Sequence, residues 1–571
     1  MLAAWAAAAA FFAGTAAGEA RQAKQALTVV QDRYAAADLL AGDGREELDE
    51  ARDRFARAAE RAGSPVLAPA RALPFVGRQL HSLRALSAAG EDVLTSALAV
   101  SATLDETAER DPGPAGRVAA AAEVREVVAQ ATGELQAVDL GPSRSLVSPL
   151  ADARDVLEEE LADAIDAGER ATAIAGGLER MFQGGRYVVL ASNNAEMQAG
   201  WGMPLSVGLL EVDDGQLSLG GMRPSWSAFV AEGAVPVTGD LGTHWAAARP
   251  TVDWRNLALT PHFPEAAQLA AAMWEANGGG PVDGVLALDP LALAAILKAT
   301  GPVEADGKQV DAAGVVRYSL HDSYVEQAQI DEENQQQRRE RQSAIAEAAV
   351  QAISRPDVEL RYLVADLADA AAGRHILLWS RDEVQQAAWA AAGVDGVLEE
   401  RSLLVSLVNR GGNKLDWFTD VDAVITTSPS GAGTEVALEV TMHNRTPDGE
   451  PRYIAGPYSD SDSGEELGSG DWGGHLAVYL PGAVADGRID GVGGLSAVGP
   501  SGPSRLLAAP IVVRKGESQA YTVRFTLPDG DGTAVIEPSG RVNAVRWHHG
   551  DQRWEDDAAR TVQLGAADEP S

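Results

Sequence analysis

The sequence predicts a multidomain chain of mixed α and β class. In order it has an apolar N-terminal helix, a helical stalk, a three-layer α/β domain and a C-terminal β-sandwich. Three observations predict this. Apolar residues recur at three- and four-residue spacing from Glu19 to about Phe182. From Gly184 short apolar runs of strand length alternate with helical stretches. After Arg401 only strand-like runs remain, separated by Gly, Pro and Ser. A length of 571 residues exceeds one ordinary domain, and 46% apolar content is enough for several cores.

The charge balance narrows the function classes. With 83 acids against 46 bases the net charge is −37, so the chain lacks the basic surface of a general nucleic-acid binder. No cysteine is present, which excludes thiolate zinc sites, thiol catalysis and a disulfide framework.

Leu2–Gly18 is an uncharged run of seventeen residues, at the short end of the ~17–25 that cross a bilayer. We read residues 1–18 as a transmembrane anchor. A buried Ala-rich helix and a cleaved signal are the alternatives, and no basic segment precedes Leu2. Residues 19–182 form the stalk. Glu19–Leu40 and Arg45–Ala62, parted by Ala41-Gly42-Asp43-Gly44, read as an antiparallel helical hairpin. Further helices fit Val76–Glu109, Ala115–Gln136 and Pro149–Met181. The breakers Asp111-Pro112-Gly113-Pro114 and Leu140-Gly141-Pro142-Ser143 separate them.

Residues 183–405 form the α/β domain. Tyr187–Ala191 and Val285–Leu288 are continuous apolar runs, as in buried strands. Asp213-Asp214-Gly215 is the turn of a hairpin spanning Leu205–Leu219. Pro264 opens one helix, and Asp289-Pro290 gives the N-cap and first residue of another. A long polar helix covers about Val325–Ile353, and His375–Trp379 is a further strand. Residues 406–565 read as the sandwich, with strands at Ala423–Thr427, Glu435–His443, His475–Leu480, Ala520–Phe525, Ala534–Pro538 and Val542–Trp547. An acidic tail follows.

Several segments together resemble the domain of unknown function 4012 family. They are Tyr187–Glu196, Leu209–Gly215, Val282–Leu291, Ala299–Val303, His375–Ser380 and Asn409–Asp416. The resemblance runs from about Gln22 to Trp547 and implies architecture and a surface location. The order of elements is more distantly similar to the LytR–CpsA–Psr envelope phosphotransferases. Those enzymes are anchored by an N-terminal helix and act outside the membrane, moving a glycopolymer from a polyprenyl pyrophosphate carrier to peptidoglycan. Their pocket sets arginines against pyrophosphate and acids around Mg²⁺, because phosphoryl transfer is mainly positioning and charge stabilisation.

This second resemblance implies candidate anion ligands. Arg223 falls where those enzymes have an arginine after isoleucine-proline. Arg338, Arg341 and Gln342 match their arginine-x-x-arginine-glutamine on the long helix, with the two arginines three apart on one face. Asn194 stands in place of an acid, and Glu196 and Gln198 complete the candidate set. In the first family an arginine usually stands where Gln198 does. The motif carrying two arginines in the enzymes reads Tyr318-Ser-Leu-His-Asp322 here. Arg338, Arg339 and Arg341 also fit plain ion pairs with Asp331, Glu332 and Glu333 on a solvated helix. Arg223 fits a surface turn, and Asn193-Asn194 fit turn hydrogen bonds.

No metal site is expected. His244, His548 and His549 lack partners at ligand spacing, and Asp460, Asp462, Glu465 and Glu466 read as an acidic loop rather than a Ca²⁺ loop. There is no P-loop, dinucleotide fingerprint or nucleophile elbow. The expected role is that of a single-pass, extracytoplasmic cell-envelope protein. It would bind or organise an anionic glycan, peptidoglycan or a polyprenyl-phosphate-linked intermediate, without cofactor, alongside other envelope proteins. An active phosphotransferase, which would need Mg²⁺, and a purely structural or adhesive surface protein are the alternatives.

Overall fold

Opposite charges at matching positions show how the first helices lie. α1 (Leu2–Arg33) and α2 (Arg45–Ala62) are joined by pairs between Glu19 and both Arg57 (3.6 Å) and Arg61 (2.9 Å), and by Arg33–Glu47 (3.4 Å). The residue numbers rise on one helix as they fall on the other, so the two are antiparallel. Ala51, Ala58 and Ala62 form the buried stripe of α2. α3 (Pro74–Glu109), α4 (Pro114–Gln136) and α5 (Ser148–Gln183) follow, around a core of Leu86, Ala89, Leu135, Leu140 and Leu161.

The computed structural model describes residues 2–33, 44–109, 113–305, 307–326, 332–353, 355, 358, 360–457, 465–528 and 532–565. The expected breakers Ala41–Asp43 and Asp111-Pro112, the acids Asp331, Asp460 and Asp462, and the tail from residue 566 lie outside them. The chain divides into two compact units, Met1–Arg180 with Glu359–Ala365, and Met181–Val358 with Asp366–Ser571.

The expected membrane anchor is not supported. Leu2–Gly18 is helical, but it is only the first half of α1, and among the described residues no helix is long and apolar enough to cross a membrane. Ten of its seventeen residues are Ala, which is only marginally apolar. Its later part also has a packing role, since Phe12 and Ala13 lie against Leu67, Ala70 and Leu80.

The second unit is built on a five-stranded sheet of order β3-β2-β1-β4-β7. Its strands are β1 (Gly184–Met197), β2 (Gly202–Asp213), β3 (Gln216–Pro224), β4 (Gly284–Leu288) and β7 (Ile376–Ser380). A short ribbon of β5 (Val303–Ala305) and β6 (Lys308–Val310) stands apart. β1 pairs in parallel with β4, Tyr187 opposite Gly284, so the two continuous apolar runs share one sheet. β2 and β3 form the expected hairpin, closed by Asp214 (φ 45°) and Gly215 (φ 79°). Two successive positive φ values make a type I′ turn, which matches strand twist and favours Asp-Gly.

Helices cover both faces of this sheet. On one, Val188, Leu190, Val285, Ala287 and Leu377 pack against α6 (Phe263–Ala276). On the other, Tyr187, Val189 and Leu286 meet Val350 of α8 (Glu332–Ala352). On that side Leu288 and Leu378 also meet α7 (Pro290–Thr300) and the end of α9 (Leu360–Ala372). The Asp289 side chain caps α7 by accepting from the N–H groups of Leu291 and Ala292.

The sandwich consists of two six-stranded sheets, β12-β15-β10-β9-β17-β18 and β13-β14-β11-β8-β16-β19. The strands in chain order are β8 (Ser402–Asn409), β9 (Thr419–Ser430), β10 (Gly433–Asn444), β11 (Trp472–Leu480), β12 (Gly487–Asp490) and β13 (Ala497–Ser501). They continue with β14 (Ser504–Val513), β15 (Ser518–Leu527), β16 (Thr533–Ile536), β17 (Arg546–His549), β18 (Gln552–Glu555) and β19 (Arg560–Gln563). β8 is buried along its whole length. Leu403, Val405 and Leu407 point into the sandwich core, while Leu404 and Val408 join the core containing Val188 and Phe263. The boundary expected near residue 405 therefore falls inside a strand that serves both cores.

Candidate functional site

A cavity of about 530 Å³ opens beyond the carboxyl end of β1. Ligand crevices of α/β sheets commonly lie at that end of the strands. β1 contributes Glu196, β2 contributes Ser206, and the residues after β3 contribute Ser225 and Trp226. Asp253 and Arg255 come from the turn before α6. Arg338, Arg339 and Gln342 come from α8, Arg410 and Lys414 from the loop after β8, and Tyr453 from a short helix at Arg452–Ala455. Five cations and two carboxylates thus line one cavity.

Both carboxylates are already engaged. Arg255 holds Asp253 through Nε (3.0 and 3.1 Å) and Nη2 (2.7 Å), and that bonding raises the Arg255 pKa. Lys414 Nζ donates to Glu196 Oε1 in a buried pair. Burial alone would lower the Lys414 pKa, but Glu196 outweighs it and keeps the ammonium charged. The remaining faces of this ammonium lie over Tyr324 (4.5 Å) and Tyr453 (5.2 Å).

Arg338 is 5% exposed. Its guanidinium lies over the same two rings, at 4.5 and 5.4 Å, and donates to the Tyr453 hydroxyl (3.1 Å). Aromatic faces stabilise a desolvated cation without neutralising it, so positive charge remains for a ligand. Arg339 lies over Trp226 (5.1 Å), which is half-exposed at the cavity, and Arg410 donates to Asn256 Oδ1 (3.2 Å).

The loop Asn409–Asp416 is held from below. Asp416 is fully buried and accepts from Arg541 Nη1 (3.0 Å), Trp472 Nε1 (3.3 Å), Asn409 Nδ2 (2.8 Å) and the Met197 N–H (3.1 Å). Burial pushes its carboxyl up, and Arg541 and Asn409 pull it back. This knot ties the end of β1 to the loop, so Glu196 and Lys414 are positioned together.

Of the sequence candidates, the cavity gathers Arg338, Gln342 and Glu196. Arg223 is placed elsewhere. It lies over Trp274 (5.4 Å) and lines a neighbouring hollow of about 260 Å³, which Arg339 also borders. Arg341 turns away and donates to the Tyr318 hydroxyl (3.1 Å), with Glu326 at 3.5 Å. Helix geometry explains this. Relative to Arg338, residues 342 and 339 stand about 40° and 100° round in one sense, and residue 341 about 60° in the other.

Asn194 and Gln198 are fully buried and do not line the cavity. Asn194 donates to Asp289 Oδ2 and the Gly540 carbonyl, both at 2.7 Å. Asp289 Oδ2 also pairs with His375 Nδ1 (2.7 Å). Gln198 donates to the Asn409 carbonyl (3.0 Å). Asp322 accepts from Arg317 (3.0 Å) and pairs with His321 (2.8 Å). The residues that sequence reasoning missed are Arg255, Arg339, Arg410 and Lys414. The last two sit in the quoted Asn409–Asp416 segment, whose Arg and Lys were the available signal. Among the described residues no group of three or more His, Asp or Glu side chains is placed to hold a metal ion.

No curated protein and no solved structure matches the chain significantly. Residues 183–324, which supply Glu196, Trp226, Arg255 and Tyr324, match the family described as protein of unknown function (DUF4012).

Proposed function

We propose that the second unit is an anion-binding module whose ligand enters the cavity between β1, α8 and the Asn409–Asp416 loop. One observation carries this reading. Five cations converge on a single cavity in a chain whose net charge is −37. Even with Asp253 and Glu196 each held by a cation, Arg338, Arg339 and Arg410 stand close together against the charge of the whole chain, and a bound anion offsets their mutual repulsion. The volume suits a phosphorylated or carboxylated headgroup rather than a whole polymer.

The ligand class we propose is a phosphorylated polyprenyl or an acidic glycan of the cell envelope, met on the extracytoplasmic side. The similarity of element order to the LytR–CpsA–Psr enzymes supports this choice. Binding is favoured over transfer because both carboxylates of the cavity are held by cations, and Asn194 is locked to Asp289. The test is equilibrium binding of farnesyl pyrophosphate to the full chain, with Mg²⁺ and with EDTA. Saturable binding that weakens with salt and is indifferent to Mg²⁺ is expected. Mg²⁺-dependent release of phosphate from the probe would favour the phosphotransferase reading, and no binding would leave a structural role.

A further inference from the structure

The helical unit carries a surface of a different kind, independent of the cavity. Leu73, Phe75 and Val76, at the start of α3, are 53%, 58% and 40% exposed, and Val147, before α5, is 41% exposed. Hydrogen bonds bring these two places together. Gln79 Nε2 donates to the Ser145 carbonyl (2.8 Å), the Val147 N–H donates to Gln79 Oε1 (2.9 Å), and Arg78 donates to the Arg144 carbonyl (3.3 Å). The third segment present is α1, whose Phe12 and Ala13 pack on Leu67, Ala70 and Leu80.

These segments share a charge pattern. Arg61–Gly90 contains four arginines, one histidine and no acid, in a chain with 83 acids. Leu140–Ala151 has Arg144 and no acid, and Leu2–Gly18 has no charge at all. Arg61 pairs with Glu19, but among the described residues no carboxylate pairs with Arg78, Arg84 or Arg144, and all three are exposed. Apolar side chains standing in solvent beside Arg78 and Arg144, in stretches of chain without an acid, have the chemistry of an interfacial lipid contact.

We infer that this end of the helical unit docks on an anionic lipid surface. Leu73, Phe75 and Val76 enter the headgroup boundary, and Arg78 and Arg144 meet lipid phosphates. This contact lies in the membrane plane and needs no spanning helix. It differs from a second-protein interface in asking for negative surface charge with no shape.

The lack of native cysteine makes the test direct. A Phe75→Cys variant and, as control, a Val156→Cys variant, at an exposed position of α5, each carry one environment-sensitive dye. Vesicles of phosphatidylcholine, with or without phosphatidylglycerol, are added to the full chain. A blue shift at position 75 and none at 156, seen with phosphatidylglycerol and reversed by salt, is expected. In the unlabelled chain the double variant Leu73→Glu, Phe75→Glu should lose roughly tenfold or more in vesicle affinity, because it removes the inserted side chains. No shift at position 75, equal shifts at both positions, or unchanged affinity of the double variant would overturn the proposal.

Discussion

Two buried ion pairs stand two residues apart on one loop, and they do different things. Asp416–Arg541 is sealed. Its carboxylate takes four donors, and Arg541 also donates to the Thr419 carbonyl (2.9 Å). Lys414–Glu196 is buried almost as deeply, yet it borders the cavity and backs onto tyrosine rings. A sealed pair fixes geometry. A pair on a cavity wall, flanked by Arg338, Arg339 and Arg410, sets a potential. Burial alone does not separate the two pairs; bordering a cavity does.

The largest expected effect lies on the sealed side. Asp416→Ala leaves Arg541 buried without its partner and should cost about 3–5 kcal/mol. Urea unfolding would measure it, and a loss below about 1 kcal/mol would remove Asp416 as the anchor of the loop.

A neighbouring acid sharpens the same side by pH. Asp556 accepts from the N–H groups of Ser539 (2.9 Å) and Val545 (2.5 Å), and burial pushes its carboxyl up to about 7. The folded state therefore holds this proton more tightly than the unfolded chain, whose Asp titrates near ~4. The stabilisation is complete below that value and is lost as pH rises through about 7. The effect is on the order of 4 kcal/mol. Asp556→Asn should flatten the fall between pH 5 and pH 8, and an unchanged slope in thermal unfolding would contradict the assignment.

On the cavity side the expected effect moves from stability to binding. Arg410→Ala should cost about 1.5–3 kcal/mol of anion affinity, roughly 10- to 100-fold, and little stability. If it instead lowers stability as Asp416→Ala does, the cavity wall and the sealed pair are not distinct in kind. The smallest effect belongs to the β2–β3 turn, remote from both pairs. Gly215 has φ 79°, so Gly215→Ala should cost about 1 kcal/mol and leave anion binding unchanged.

Much of the fold was legible because its signals are local. Tyr187–Ala191 and Val285–Leu288 are strand-length apolar runs, and Asp214-Gly215 is I′ turn chemistry. Eight strands went unnamed, six of them only three to five residues long; of the two long ones, Ser402–Asn409 has its apolar run broken by Ser406, and Ser504–Val513 carries an interior Pro510. The site was half legible. Glu196, Arg338 and Gln342 were named, but a three-residue spacing drew in Arg341, whereas the cavity takes residues 338, 339 and 342. Arg255, Arg410 and Lys414 reach it from segments far apart in the chain, and the Asp416 knot, with the Gln198–Asn409 hydrogen bond, ties the last two to the end of β1.

The central claim is that the cavity is an anion site built by side chains from α8 and the Asn409–Asp416 loop. Isothermal titration of inorganic pyrophosphate into the full chain and into the double variant Arg339→Ala, Arg410→Ala tests it most directly. One-site binding to the parent, weakened by salt and lost in a double variant of unchanged unfolding midpoint, is the expected result. Equal binding by the two proteins, or none by the parent at low salt, would contradict it.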